Sequence, residues 1–109
     1  MQQGLVGIGV VGYGYWGPNL VRNFANSQVA RVVAVSDLDA TKLAAINRLY
    51  PAIGTTPQFR DLLTNPEIDA IAIATPVHTH YDLALAALRA GKHVLVEKPL
   101  AQTSEQVLH

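Results

Sequence analysis

Val10-Val11-Gly12-Tyr13-Gly14-Tyr15-Trp16-Gly17 is the stretch on which the reading of this chain turns. It is a G-x-G-x-x-G run set directly behind an apolar segment, Leu5–Val11, that reads as a buried parallel strand. Pro18-Asn19-Leu20-Val21-Arg22-Asn23-Phe24 follows as the opening of a helix. Twenty positions beyond Gly17, at the end of a second apolar run, stands an acid, Asp37. Glycine spacing alone is weak. Strand, glycines, helix and acid in this order form a dinucleotide-binding fingerprint.

Each part has a physical task. Gly12 lets the chain turn sharply out of the strand. Gly14 leaves room for backbone to approach a pyrophosphate, and Gly17 lets the new helix pack closely on the sheet. The helix start offers unpaired N–H groups and a partial positive charge to phosphates. Pro18 suits a first helical turn, where its missing N–H costs nothing. A glycine-rich turn without a ligand would leave the third glycine and the spaced acid unexplained.

Composition narrows the class. At 109 residues, half of them apolar, the chain has enough material for one core and one domain. Eight basic and eight acidic side chains cancel, which gives no electrostatic case for nucleic acid or an anionic membrane. There is no cysteine, so disulfides, thiolate catalysis and cysteine-bound metals drop out. Gly4–Val11 is far shorter than the roughly 20 residues of a membrane span, and it lacks the basic lead-in of a signal peptide. A soluble, cytoplasmic protein is the expectation.

Along the chain, strands and helices alternate. Leu5–Val11, Arg31–Ser36, Ala52–Thr55, Asp69–Ala74 and Val94–Val96 read as strands. Gly17–Ala25, a helix from Ala40 to Leu49 capped by Asp39, one or two turns over Pro57–Leu63, and Thr79–Ala90 read as helices. Thr79 with Asp82 resembles a capping box, and Gly91 a C-terminal cap. The architecture predicted is α/β, a Rossmann doubly wound parallel sheet of strand order 3-2-1-4-5. Thr103 and Gln106 open a further helix that stops at His109, so residues 1–109 read as a dinucleotide-binding domain truncated before a sixth strand. The fifth strand would then be an apolar edge prone to self-association.

Ligands of such sheets lie beyond the carboxyl ends of the strands, at the switch in strand order. The glycine loop, Ala74-Thr75-Pro76-Val77-His78 and Glu97-Lys98-Pro99 converge there. Asp37 is placed to accept hydrogen bonds from ribose hydroxyls. A 2′-phosphate would repel it, and Leu38 supplies no arginine, so NAD is expected rather than NADP. Lys98 is the candidate catalytic residue: a lysine ending an apolar strand can be desolvated, hydrogen-bond a substrate hydroxyl and shuttle its proton. Pro99 holds its backbone extended, and Glu97 could orient Lys98 or contact the ribose. Lys92 and His93, at the other end of that strand, read as solvated surface. His78 and His80 form an H-x-H pair without a further ligand, which is no metal site; His80 reads as a cofactor contact. Tyr13, Tyr15 and Trp16 either face the cofactor or pack on the first helix.

Val11–Asn19, Ala74-Thr75-Pro76 and Ala90-Gly91-Lys92-His93-Val94-Leu95-Val96-Glu97-Lys98-Pro99-Leu100-Ala101 together resemble the N-terminal domain of Gfo/Idh/MocA oxidoreductases. The resemblance covers nearly the whole chain, and its A-G-K-H-V-L-V-E-K-P run is specific. It implies hydride transfer between a nicotinamide cofactor and a hydroxyl of a sugar, cyclitol or nucleotide-sugar. It also implies a substrate-contacting role for Lys98, with help in proton transfer, and a place for His80 in the pattern. With the reading of the residues above, the expected cofactor-binding set is Gly12, Gly14, Tyr15, Trp16, Gly17, Asp37, Thr75, Pro76, His80, Glu97 and Lys98. Family enzymes continue into a C-terminal α/β substrate domain, so this chain alone is expected to bind NAD weakly and to turn over nothing. Two alternatives stand beside this reading. One is a non-catalytic module that senses NAD(H) or a nucleotide. The other is SAM or FAD binding by a similar loop, which the E-K-P strand end suits less well.

Overall fold

A computed structural model describes residues 5–13, 17–75 and 79–96. Five strands form one parallel sheet: β1 (Val6–Val11), β2 (Ala30–Ser36), β3 (Gly54–Thr56), β4 (Ala70–Ile73) and β5 (His93–Val96). Their order is β3-β2-β1-β4-β5, as the alternation of elements predicts. The helices between them are α1 (Gly17–Ala25), α2 (Ala40–Leu49), α3 (Phe59–Leu63) and α4 (His80–Arg89). Among the described residues β5 pairs only with β4 and forms one edge of the sheet.

Two apolar layers follow from strand alternation. Ile8 and Val10 of β1, Val32 and Val35 of β2, and Ala70 and Ala72 of β4 join Val21 of α1 and Leu43 and Ile46 of α2. Val11, Ile71 and Ile73 join Leu62, Ile68 and Ala87 from α3, its following loop and α4. β1 and β4 are thus covered on both faces, which is why their sequences are apolar without interruption. The β1–β2 register shifts between Ile8 and Gly9, leaving Val33 as an extra residue on β2.

Local chemistry sets the element ends. Asp39 caps α2 as expected, its Oδ1 accepting from the Thr41 N–H at 2.9 Å. The third strand starts two residues later than the sequence pattern predicts. Pro51–Ile53 is instead a turn closed by the Ile53 N–H on the Tyr50 carbonyl at 3.0 Å. Gly91, at φ 82°, ends α4. The Thr79 capping box is not formed: Thr79 makes no side-chain cap bond to α4, and its hydroxyl lies 2.6 Å from that of Thr75.

Lys92 also departs from its reading as solvated surface. Its Nζ donates to the carbonyls of Asn65 (2.8 Å) and Ile68 (2.7 Å), tying the start of β5 to the loop that leads into β4. His93 is exposed, as predicted.

Candidate dinucleotide-binding site

The carboxyl ends of β1, β2 and β4 meet where the strand order switches from β1 to β4. At the end of β1 the Gly12 N–H donates to the Ser36 carbonyl at 2.7 Å, and the Ala74 N–H donates to the Val11 carbonyl at 2.9 Å. These bonds hold the ends of the three strands side by side.

Gly12 leaves the strand at φ 91°, a conformation that a Cβ disfavours. Space forbids a side chain as well: a β-carbon there would stand 2.7 Å from Thr75 Cγ2. A β-carbon on Gly17 would stand 2.6 Å from the Gly12 carbonyl oxygen, so the first turn of α1 crosses directly over the strand end. Both glycines perform the tasks their spacing assigns.

Asp37 reaches back across this gap. Its Oδ2 accepts the Tyr13 N–H at 2.8 Å and its Oδ1 accepts the Asp39 N–H at 2.8 Å. The carboxylate faces the glycine loop. One loop amide, that of Tyr13, is therefore spent on the protein itself rather than left for a phosphate. Each carboxylate oxygen keeps a second acceptor position, enough for a pair of vicinal ribose hydroxyls. Leu38 beside it is almost wholly exposed and brings no cation. Hydrogen bonds from the Thr41 hydroxyl and amide, with a smaller contribution from the charge of Lys42, hold the Asp39 carboxyl below its ordinary value.

Tyr13 resolves in favour of packing. Its ring is buried in the layer that contains Val10, Val21 and Val35, with Tyr50 packed against that layer. Burial, and then the neighbouring Tyr50 phenol, push the Tyr13 phenol above its ordinary value.

On the β4 side Thr75 is half-buried, and His80 Nε2 lies 2.7 Å from the Thr75 carbonyl oxygen. Gly12, Gly17, Asp37, Thr75 and His80 thus stand at one end of the sheet. Gly14, Tyr15, Trp16, Pro76, His78, Glu97 and Lys98 lie outside the described residues. Among the described residues no group of three His, Cys, Asp or Glu side chains could hold a metal ion. No helix among them is long and apolar enough to cross a membrane.

Three features were not found from sequence: at this end, the Tyr13 amide as the partner of Asp37 and the pairing of the Thr75 and Thr79 hydroxyls, and at the opposite, amino end of β1, the steric role of Gly7. A β-carbon on Gly7 would overlap the Glu67 carbonyl oxygen, at 1.9 Å. The Gly7-Ile8-Gly9 spacing inside an apolar strand was a legible sign of such close approach.

The geometry fits a dinucleotide: a crowded, Cβ-free strand end, a helix start over it and a carboxylate with acceptor positions to spare. Comparison with known proteins agrees. Residues 6–109 match the model of the oxidoreductase family with an NAD-binding Rossmann fold. The chain is 42% identical over 108 residues to inositol 2-dehydrogenase 1 of Saccharopolyspora erythraea, covering 94% of this chain and 31% of that protein. It is 38% identical over 111 residues to glycosyl hydrolase family 109 protein 2 of Shewanella sp. (strain ANA-3), covering 94% of this chain and 24% of that one. Scyllo-inositol dehydrogenase of Lactobacillus casei with bound NAD(H) and scyllo-inositol superposes with a TM-score of 0.78 at 30% identity, over 96% of this chain and 31% of that chain. The chain therefore spans about a quarter to a third of the length of these relatives.

Proposed function

The chain belongs to the Gfo/Idh/MocA family of oxidoreductases, with its NAD-binding Rossmann fold, and on that premise we propose that it is the cofactor-holding part of a cyclitol or sugar dehydrogenase. The cofactor, when bound, supplies hydride acceptance and donation. The observation that carries the reading is the Asp37 carboxylate bonded to the glycine loop at the β1/β4 switch point. Gly12 and Gly17 keep the strand end bare for the diphosphate, and the amides of Gly14, Tyr15 and Trp16 are the donors assigned to it. Asp37 takes the adenosine ribose hydroxyls. Asp37 and Asp39 together disfavour a 2′-phosphate, with Lys42 offsetting part of that charge, so NAD is preferred to NADP.

Lys98, two residues past the end of β5, is assigned to the reacting end. It hydrogen-bonds the substrate hydroxyl and helps its proton depart as the carbinol carbon loses hydride. Glu97 orients it. Thr75 is assigned to the opposite wall, and Pro76 to cofactor contact. The remaining substrate contacts are assigned to a segment beyond this domain, in keeping with relatives three to four times as long.

The test is a pair of calorimetric titrations of the 109-residue chain with NADH and NADPH, followed by assay against a panel of cyclitols and sugars. Saturable NADH binding, weaker NADPH binding and no turnover are expected. Absent NADH binding would refute the cofactor assignment. NADH formation by this chain alone would refute the division of labour.

A further inference from the structure

His80 enters the sequence reading as a cofactor contact, and its hydrogen bond gives it a different task. A carbonyl oxygen can only accept, so the 2.7 Å contact between His80 Nε2 and the Thr75 carbonyl places the hydrogen on Nε2. The Thr75 hydroxyl is 2.6 Å from the Thr79 hydroxyl. Residue 75 is thus bound twice, through backbone and side chain, to residues at the start of α4.

Thr75 is also the residue that touches the glycine loop. Its Cγ2 would be 2.7 Å from a β-carbon on Gly12, and its N 3.2 Å away. A contact chain therefore runs from α4 through His80 and Thr75 to the strand end on which a diphosphate would rest. We infer that His80 is a positioning residue: by donating from Nε2 to Thr75 it holds Thr75, one wall of the dinucleotide crevice, against Gly12 and sets the width of that crevice. This rests on the cofactor reading above. A wall free to move would have to be ordered at the moment of binding, and that ordering subtracts from affinity.

The side chains of Gln and Asn separate this role from a merely polar one. A glutamine amide nitrogen reaches about as far as Nε2, whereas an asparagine amide nitrogen stops near Nδ1. NADH affinity is measured by calorimetry for the wild-type chain and for His80→Gln, His80→Asn and His80→Ala. Histidine ¹⁵N spectra of the ligand-free wild-type chain report its tautomer. The expected results are a hydrogen on Nε2, NADH binding weakened roughly tenfold in the Asn and Ala variants, and recovery of most of that loss in the Gln variant. If Ala does not fold, the Gln–Asn comparison and the spectrum still decide. A hydrogen on Nδ1 alone, or Gln binding no better than Asn, overturns the inference while leaving the cofactor reading intact. Wild-type chain that binds no NADH overturns both.

Discussion

Gly12 and Gly91 provide an internal comparison. Both have positive φ, 91° and 82°, but a β-carbon on Gly91 meets nothing within 4 Å, whereas one on Gly12 meets Thr75 Cγ2 at 2.7 Å and the Ala74 carbonyl carbon at 3.2 Å. Alanine in a left-handed conformation costs about 1–2 kcal/mol. The smaller conformational entropy of an unfolded chain carrying alanine returns about 0.4–1 kcal/mol of that. Gly91→Ala should therefore destabilise by roughly 1 kcal/mol. Gly12→Ala carries the same backbone penalty plus the cost of overpacking, about 1–3 kcal/mol.

The expected losses are then about 1 and about 2–4 kcal/mol, which for a domain of this size correspond to roughly 4–8 °C and 10–25 °C in Tm. Urea and thermal unfolding followed by far-UV circular dichroism measure both, and NADH titration of each variant gives a second readout. Gly91 lies at the amino end of β5, remote from the crevice, so its variant should bind NADH as the wild type does. Gly12→Ala pushes Thr75 outward and should lose most of its affinity. Equal destabilisation of the two variants would show that the Gly12–Thr75 contact relaxes freely and that the crevice is not defined by it.

Three further outcomes follow from other contacts. Asp37→Asn keeps one acceptor and turns an amide donor toward either the Tyr13 or the Asp39 N–H; NADH affinity should fall at least about tenfold and the NADH:NADPH preference should narrow, and an unchanged preference by titration would remove Asp37 from cofactor selection. Lys92→Met strands the Asn65 and Ile68 carbonyls and should cost about 1.5–3 kcal/mol by urea unfolding, against a few tenths for an ordinary surface lysine. The Tyr13 phenol is raised by burial and by Tyr50, so its contribution is fully present below the ordinary tyrosine value and lost as pH rises through the folded one. Tyr13→Phe should accordingly unfold less steeply with alkali than the wild type, and parallel pH–stability curves would count against burial as the cause.

Much of this architecture was legible because local signals and tertiary needs coincide. The runs at β1 and β4 are apolar since helices cover both faces, and Asp39 stands where α2 needs a cap. What stayed hidden is long-range. Lys92 reads as a surface cation until the fold brings the Asn65 and Ile68 carbonyls, more than twenty positions away, within reach of its ammonium. Thr79 reads as a cap because Ser/Thr-x-x-Asp patterns favour one, yet the hydroxyl of Thr75 competes for it. Tyr13 could not be assigned from its neighbours in sequence, because its fate depends on the space between α1 and the sheet.

The glycine loop is the point at which folding and binding share the same contacts. Asp37 holds the Tyr13 amide, the Tyr13 ring anchors that residue in the core and Thr75 closes on Gly12 from β4. Gly12 and Tyr13, held from three sides, are in place before a ligand arrives, which spares the binding step that entropy. The same arrangement means that affinity and stability cannot be altered independently here. The Asp37 carboxylate accepts from the Tyr13 and Asp39 amides and has further acceptor positions free for a ligand, so on the proposed reading its removal releases the Tyr13 amide as well as deleting a ribose contact. Substitutions at this corner should therefore lower affinity and stability together, whereas those at Lys92 or Gly91, on the far side of the sheet, should lower stability alone.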